Sequence, residues 1–347
     1  MKRRSLVAAL SLSVVAAPFA RAAEVLPPPE QPVSPDSGEA ALSRALAEAS
    51  ALAALKTVIV SRNGSIVAER GYRGHTTRDS TNIKSASKSI ISALVGIAID
   101  RGLLQGVDQP IAPILKSDLP ASPDPRLARV TIGHLLSMQA GLERMSGSNY
   151  GRWVSSGNWV RTALAAPFVD EPGGVMLYST ASTHLLSAIL TKVGKKPTLM
   201  LAREWLAPLE DFRIGAWERD PQGIYLGGNQ MAMSARSLLA FGELYRNGGR
   251  TPQGRQLVPE EWVRQSWQSR TNSRFSNDGY GYGWFARAIG GRTVHFAWGY
   301  GGQMLYIVPE LALTVVMTSQ ENAPSARSGY RDELHALLAD IIGAAQS

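Results

Sequence analysis

The chain has no cysteine among its 347 residues. Disulfides, thiolate nucleophiles and a lipidated cysteine anchor are thereby excluded. It has no GxSxG, so the nucleophile elbow of the α/β-hydrolases is missing. HExxH and clustered His/Asp/Glu spacings are absent, so no metal site is expected. GxxxxGK[ST] is absent too, and the glycines of "GYGYGWF" precede strand-like residues rather than a helix, which argues against dinucleotide binding. No cofactor is expected. The five histidines (His75, His134, His184, His295, His335) are dispersed, and each reads most simply as structural or surface. His295 stands apart because it adjoins a glycine-rich turn. Lys and Arg are scattered rather than gathered into a stripe, so no nucleic-acid footprint is expected.

What is present begins with an export pattern. "MKRR" is a charged start, Ser5–Pro18 a short apolar run and "ARA" at Ala20–Ala22 a small-residue cleavage site. The apolar run is too short to span a bilayer. Residues 1–22 therefore read as a signal peptide, of Sec or twin-arginine type, and the mature protein as periplasmic or secreted, with no membrane-spanning segment. Loss of Lys2, Arg3, Arg4 and Arg21 removes four charges and takes the formal net charge from +8 to +4.

A proline-rich leader over 23–38 precedes the folded part, 39–347. Glu39–Leu55 has the pattern of an amphipathic helix, and "TVIVSRNGSIVAERGY" that of two strands around Asn63-Gly64. Helical patterns dominate the middle, in "TIGHLLSMQ", "NWVRTALAA", "STHLLSAILTKVG" and "SARSLLAFGELYRNGG". "GYGWFARAI", "RTVHFAWG", "GQMLYIV" and "LALTVVMTS" read as short strands at hairpin spacing, followed by a helix over 331–345. With strands at both ends and helices between, the simplest packing is α+β. One antiparallel sheet (about 39–84 and 275–347) is flanked by the terminal helices, with a helical lobe (about 85–274) inserted.

"NIKSASKSIISALVGIAID" lies where sheet gives way to helices. It contains the only S-x-x-K of the chain, Ser85 to Lys88. Positions i and i+3 share a helix face. Burial, the helix N-terminus and the like charge of Lys84 should all lower the lysine pKa, making Lys88 a base for the Ser85 hydroxyl. Alone the tetrapeptide is a weak signal; its context strengthens it. Tyr178-Ser179-Thr180 precedes another apolar helix. Tyr178 is either packing or, if it faces Ser85, a proton relay whose phenolate a nearby cation would favour. "HFAWGYGGQMLYIVP" puts glycines at a strand start, as a hairpin turn and as a place where backbone N–H groups can meet an oxyanion.

Ser-x-x-Lys, Tyr-Ser-x and a glycine-rich strand, in this order, resemble the serine hydrolases related to class C β-lactamases and DD-peptidases. The similarity is greatest to 6-aminohexanoate-dimer hydrolases and neighbouring esterases, over roughly 57–339. The resemblance implies a β-lactamase/transpeptidase-like fold with Ser85 as acylated nucleophile, Lys88 as base and Tyr178 as relay. It also implies an oxyanion hole from the N–H of Ser85 and of Tyr300, aligning the family's Lys-Thr-Gly with Ala297-Trp298-Gly299. A register one residue later gives Gly301 instead. Trp298, Gly299 and Gly301, with Trp153, Trp284 and His295, are the substrate-binding candidates, core packing being the equal alternative for Trp153, Trp284 and Trp298. Two departures stand out. Thr180 replaces the Asn usual in β-lactam-reactive relatives, and Ala297 (or Trp298) replaces the Lys that grips a substrate carboxylate. The expected substrate is thus a small ester or linear amide. Penicillin recognition and a non-catalytic envelope-binding protein are the alternatives. Oligomeric state is not legible.

Overall fold

The computed structural model describes residues 35–325 and 328–347. The expected signal peptide (1–22) and residues 23–34 of the expected leader lie outside the described residues. Residues 35–38, read as leader, instead open helix α1 (Pro35–Glu48); proline is well tolerated in a first helical turn because its missing N–H would be unpaired there anyway.

Strands β1 (Leu55–Arg62) and β2 (Ser65–Gly71) form the expected hairpin. Asn63 and Gly64 both adopt positive φ (52° and 82°), the twist that suits a two-residue turn. After β3 (Ser80–Asn82) the chain enters its helical stretch with α2 (Ser87–Asp100), α3 (Ile132–Leu136), α4 (Tyr150–Val154), α5 (Trp159–Leu164), α6 (Thr180–Gly194) and α7 (Thr198–Trp205). Strands β4 (Ala216–Trp217) and β5 (Met231–Ser234), then α8 (Ala235–Arg246) and α9 (Glu260–Trp267), complete it. The chain closes with β6 (Thr271–Asn272), β7 (Gly279–Tyr280), β8 (Phe285–Ile289), β9 (Arg292–Gly299), β10 (Gln303–Val308), β11 (Leu313–Ser319) and α10 (Tyr330–Gln346).

Eight strands make one antiparallel sheet in the order β2-β1-β11-β10-β9-β8-β7-β6. Strands β10 and β11 are buried along their whole lengths, because alternate side chains feed two cores. Met304, Tyr306, Val315 and Met317 pack with Leu46 of α1 and Leu334, Leu338 and Ile341 of α10. Leu305, Ile307, Val316 and Ala297 join the other core, with Ile90, Leu94 and Phe241 from α2 and α8. Each such aliphatic side chain removed from water contributes about 1.5–3 kcal/mol.

The middle of the chain is less uniformly helical than its pattern suggests. A three-stranded sheet, β3-β5-β4, is set within it. The Ile83 N–H, just after β3, donates to Met231 O of β5. This small sheet places residues 227–231 alongside the turn that carries Ser85.

Candidate active site

The backbone turns sharply before Ser85. Lys84 has φ 50°, in the left-handed region, and its N–H donates to Asn82 Oδ1 at 2.9 Å. One 3-10 turn, Lys84–Ala86, then runs directly into α2. Ser85 stays half-buried and reachable, whereas Lys88, a turn on, is 2% exposed.

The Lys88 amine makes three polar contacts: Ser85 Oγ at 3.1 Å, Thr180 Oγ1 at 3.4 Å and the Gly228 carbonyl at 2.6 Å. Its pKa falls from 10.5 to about 7, and burial is the cause. The contribution expected from Lys84 is not found: that side chain turns toward Gln230 Oε1, 3.5 Å away.

Tyr178 reaches the same place from the segment preceding α6. Its ring centroid is 5.1 Å from Lys88 Nζ, and its phenol lies on the Ser85 side of the amine, close enough for Ser85 to favour the phenolate slightly. Tyr280 meets the ring edge-on at 6.1 Å and Phe285 stacks on it at 6.1 Å. The expected phenolate is not favoured. Burial pushes the phenol up to about 12, and only the Ser85 contact works against it. Lys88 does not offset the burial, so near neutral pH the phenol keeps its proton.

Strand β9 ends against the turn that carries Ser85. A Cβ on Gly299 would lie 2.2 Å from Ile83 O, so only glycine permits this approach. Among the described residues, the N–H groups of Ser85 and Tyr300 have no hydrogen-bond acceptor. The Gly301 N–H, by contrast, donates to Ser325 Oγ at 2.9 Å. Trp298 is half-buried and packs on Phe285 (6.2 Å), the ring that also stacks on Tyr178.

Two of the substrate-binding candidates are buried and a third, His295, is uncharged. Trp153 is 0% and Trp284 1% exposed. Trp153 packs between Trp159 and His184, and its Nε1 donates to Trp159 O. Trp284 stacks on Phe241 and meets Tyr245 at a tilt, 4.7 Å between ring centres. Both are core residues. His295 stacks on Trp267 at 4.4 Å, and burial pushes its pKa down to about 4, so it is neutral near pH 7 and offers no charge to an anion.

Sequence reasoning did not single out Gly228. The signal was the pair Gly227-Gly228 in "YLGGNQ". A Cβ on Gly228 would meet Thr183 Oγ1 at 2.4 Å and Lys88 Cγ at 2.5 Å. Ser146, bonded to both the N–H and the hydroxyl of Thr180, was also not named.

The comparisons agree with this architecture. The Beta-lactamase family model matches residues 43–340. Among solved structures, a Bacillus anthracis protein assigned as a 6-aminohexanoate-dimer hydrolase is similar at TM-score 0.69 and 20% identity, over 87% of this chain and 81% of its own. EstCE1, a hydrolase with promiscuous acyltransferase activity, is similar at TM-score 0.71 and 18% identity, over 90% of this chain and 100% of its own. A class C beta-lactamase from Rhodobacter sphaeroides matches at TM-score 0.65 and 17% identity, over 90% and 100%. At such identities the likeness establishes the fold alone. The family match spans most of the chain, and the protein belongs to the beta-lactamase family of serine hydrolases.

Proposed function

We propose that the protein hydrolyses small esters or linear amides through an acyl-enzyme on Ser85. The observation that carries this reading is a buried amine, held near pKa 7, 3.1 Å from a reachable serine hydroxyl. Near neutral pH about half or more of such an amine is unprotonated. Its N–H groups are directed to Gly228 O and Thr180 Oγ1, which leaves its lone pair for the Ser85 proton. As the Ser85 Oγ–carbon bond forms, the carbonyl oxygen takes up negative charge and accepts from the N–H groups of Ser85 and Tyr300. The prior bond from Gly301 N–H to Ser325 supports Tyr300 as the second donor. The proton on Lys88 then passes through the Tyr178 hydroxyl to the leaving alcohol or amine. Water attacks the acyl ester with the proton path reversed. General-base and oxyanion contributions of about 10²–10⁴ and 10²–10³ in rate are the usual scale for such groups.

A neutral substrate is favoured because the end of β9 beside Ser85 offers no free cation to an anion, the strand's one arginine, Arg292, being at its far end and paired with Glu310. Ala297 is buried and apolar, and His295 is neutral. Arg331 is engaged by the Trp298 ring and by Asp278 at 3.4 Å. On the other side of Ser85, Lys84 lies in the field of Glu321. The likeness to a protein assigned as a 6-aminohexanoate-dimer hydrolase and to EstCE1 supports the same substrate class. The N-terminal pattern of residues 1–22 supports export, which sequencing the N-terminus of protein recovered outside the cytoplasm would check.

A panel of p-nitrophenyl esters, 6-aminohexanoate dimer and nitrocefin, run on wild type beside Lys88→Ala, tests the reading. Ester or amide turnover that collapses in the variant is expected. Preferential nitrocefin turnover would replace the substrate class. A folded protein that turns over none of them would point to the non-catalytic alternative.

A further inference from the structure

The Gly228 carbonyl that holds Lys88 belongs to a segment gripped residue by residue. Four successive carbonyls each accept from a side chain. Ser187 Oγ reaches Tyr225 O at 2.6 Å and Trp217 Nε1 reaches Leu226 O at 2.7 Å. Thr183 Oγ1 reaches Gly227 O at 2.9 Å, and Lys88 Nζ reaches Gly228 O at 2.6 Å. Ser187 and Thr183 project from α6, the helix that follows Tyr178. Between them stands His184, fully buried with Asp220. Its Nε2 lies 3.0 Å from Asp220 Oδ2, and its Nδ1 faces the Gly227 N–H at 3.4 Å. Asp220 Oδ1 accepts from the N–H groups of Gln222 and Ile224, both at 2.8 Å, closing the turn at the start of the segment. Trp153 and Trp159 wall the imidazole on two sides, each at 5.6 Å.

We infer that His184 and Asp220 are positioning residues for Lys88: the pair fixes the Gly227–Gly228 backbone, whose carbonyl orients the amine toward Ser85. The hydrogen-bond sense follows from the donors present. A backbone N–H faces Nδ1, so Nδ1 is the acceptor and the proton sits on Nε2, donating to the carboxylate. The chain of contact is then Asp220, His184, Gly227 N–H, Gly228 O and Lys88 Nζ. No other arrangement of protons satisfies both ring nitrogens. This inference rests on reading Lys88 as the base.

Asp220→Asn tests it with almost no change of shape. The amide oxygen must keep facing Gln222 and Ile224, so the amide NH₂ confronts Nε2–H. If the imidazole shifts its proton to relieve this, Nδ1–H confronts the Gly227 N–H. Either way the imidazole and the Leu226–Gly227 peptide it faces are displaced, two peptide units before the Gly228 carbonyl in the same strapped segment. Thr183→Val, which removes the hydroxyl holding Gly227 O, is the second variant should Asp220→Asn fail to fold. The measurement is the rate of Ser85 acylation by a fluorophosphonate between pH 5 and 9, normalised to folded protein by circular dichroism, with Lys88→Ala in parallel. A fall of at least tenfold, with the acidic limb displaced by at least half a pH unit, is expected. Acylation within twofold of wild type and an unmoved limb in a folded variant would overturn the inference, leaving the pair a role in stability alone. If Lys88→Ala itself acylates normally, the base reading fails; if it is inert while Asp220→Asn is normal, only the positioning role fails.

Discussion

Replacing Lys88 by Met should make the folded protein more stable near neutral pH while removing its activity. The Lys88 amine sits at about 7 in the fold against 10.5 for a free lysine. That gap of about 3.5 pH units corresponds to about 5 kcal/mol of penalty for the buried ammonium, at about 1.36 kcal/mol per unit. Below pH 7 both folded and unfolded chains carry the proton, and the full penalty acts on the fold. Between about 7 and 10.5 the native state has released the proton while the unfolded chain retains it. Unfolding then takes up a proton, so wild-type stability rises with pH across this window. Met carries no such penalty, but it leaves the Gly228 carbonyl, now bonded at 2.6 Å, without a donor. That loss costs about 1–3 kcal/mol. The variant should therefore exceed wild type by about 2–4 kcal/mol at pH 6, draw level near pH 9 and fall about 1–3 kcal/mol below it past 10.5. Urea denaturation at pH 6, 8 and 10, followed by fluorescence of the eight tryptophans, measures the difference directly. Equal or lower stability of Lys88→Met at pH 6, or a gap that ignores pH, would refute the reasoning.

Tyr178→Phe should lower kcat by about 10²–10⁴ with little change in melting temperature, since it keeps the ring that packs on Tyr280 and Phe285 and removes only the proposed proton relay; steady-state kinetics beside a thermal melt would show it. Gly299→Ala puts a methyl 2.2 Å from Ile83 O, so the strand and the turn that carries Ser85 must part. An ester kcat/KM loss of tenfold or more in a folded variant is expected, and unchanged kinetics would contradict the close approach. Trp284→Ala should cost about 3–5 kcal/mol of stability while leaving KM in the folded fraction unchanged, because the ring is 1% exposed. Nitrocefin should be a far poorer substrate than a p-nitrophenyl ester, and introducing a cation with Ala297→Lys should raise its relative turnover if the missing charge is what limits it.

The features legible in the sequence were those written in local pattern. Asn63-Gly64 between alternating strands specified the hairpin, and the four hydrophobic runs after residue 279 specified the strands that pair around it. Ser85 and Lys88 were legible because a turn's spacing and a core-like helix lie together in one stretch. Tyr178 needed the resemblance, since nothing in its neighbourhood says which way an aromatic at a helix entrance will face. The small sheet of β3, β5 and β4 escaped notice because its strands are two to four residues long and β3 lies well over a hundred positions from the other two. Gly228 escaped for the same reason: its carbonyl meets Lys88 from 140 residues away. Trp153 and Trp284 went to the core rather than the cleft, as large rings do when neighbouring aromatics can bury them completely. The cause of the Lys88 shift was partly misread as well. Burial alone lowers it, while Lys84, so close in sequence, is turned aside by its left-handed backbone and by Gln230.

The most direct test of the account is the pH dependence of fluorophosphonate attack, read by intact mass and peptide mapping. A single adduct on Ser85 is expected, forming about tenfold faster per pH unit below 7 and levelling above it, as an amine at about 7 gives up its proton. An adduct on another residue, or a rate on Ser85 indifferent to pH between 5 and 9, would contradict it.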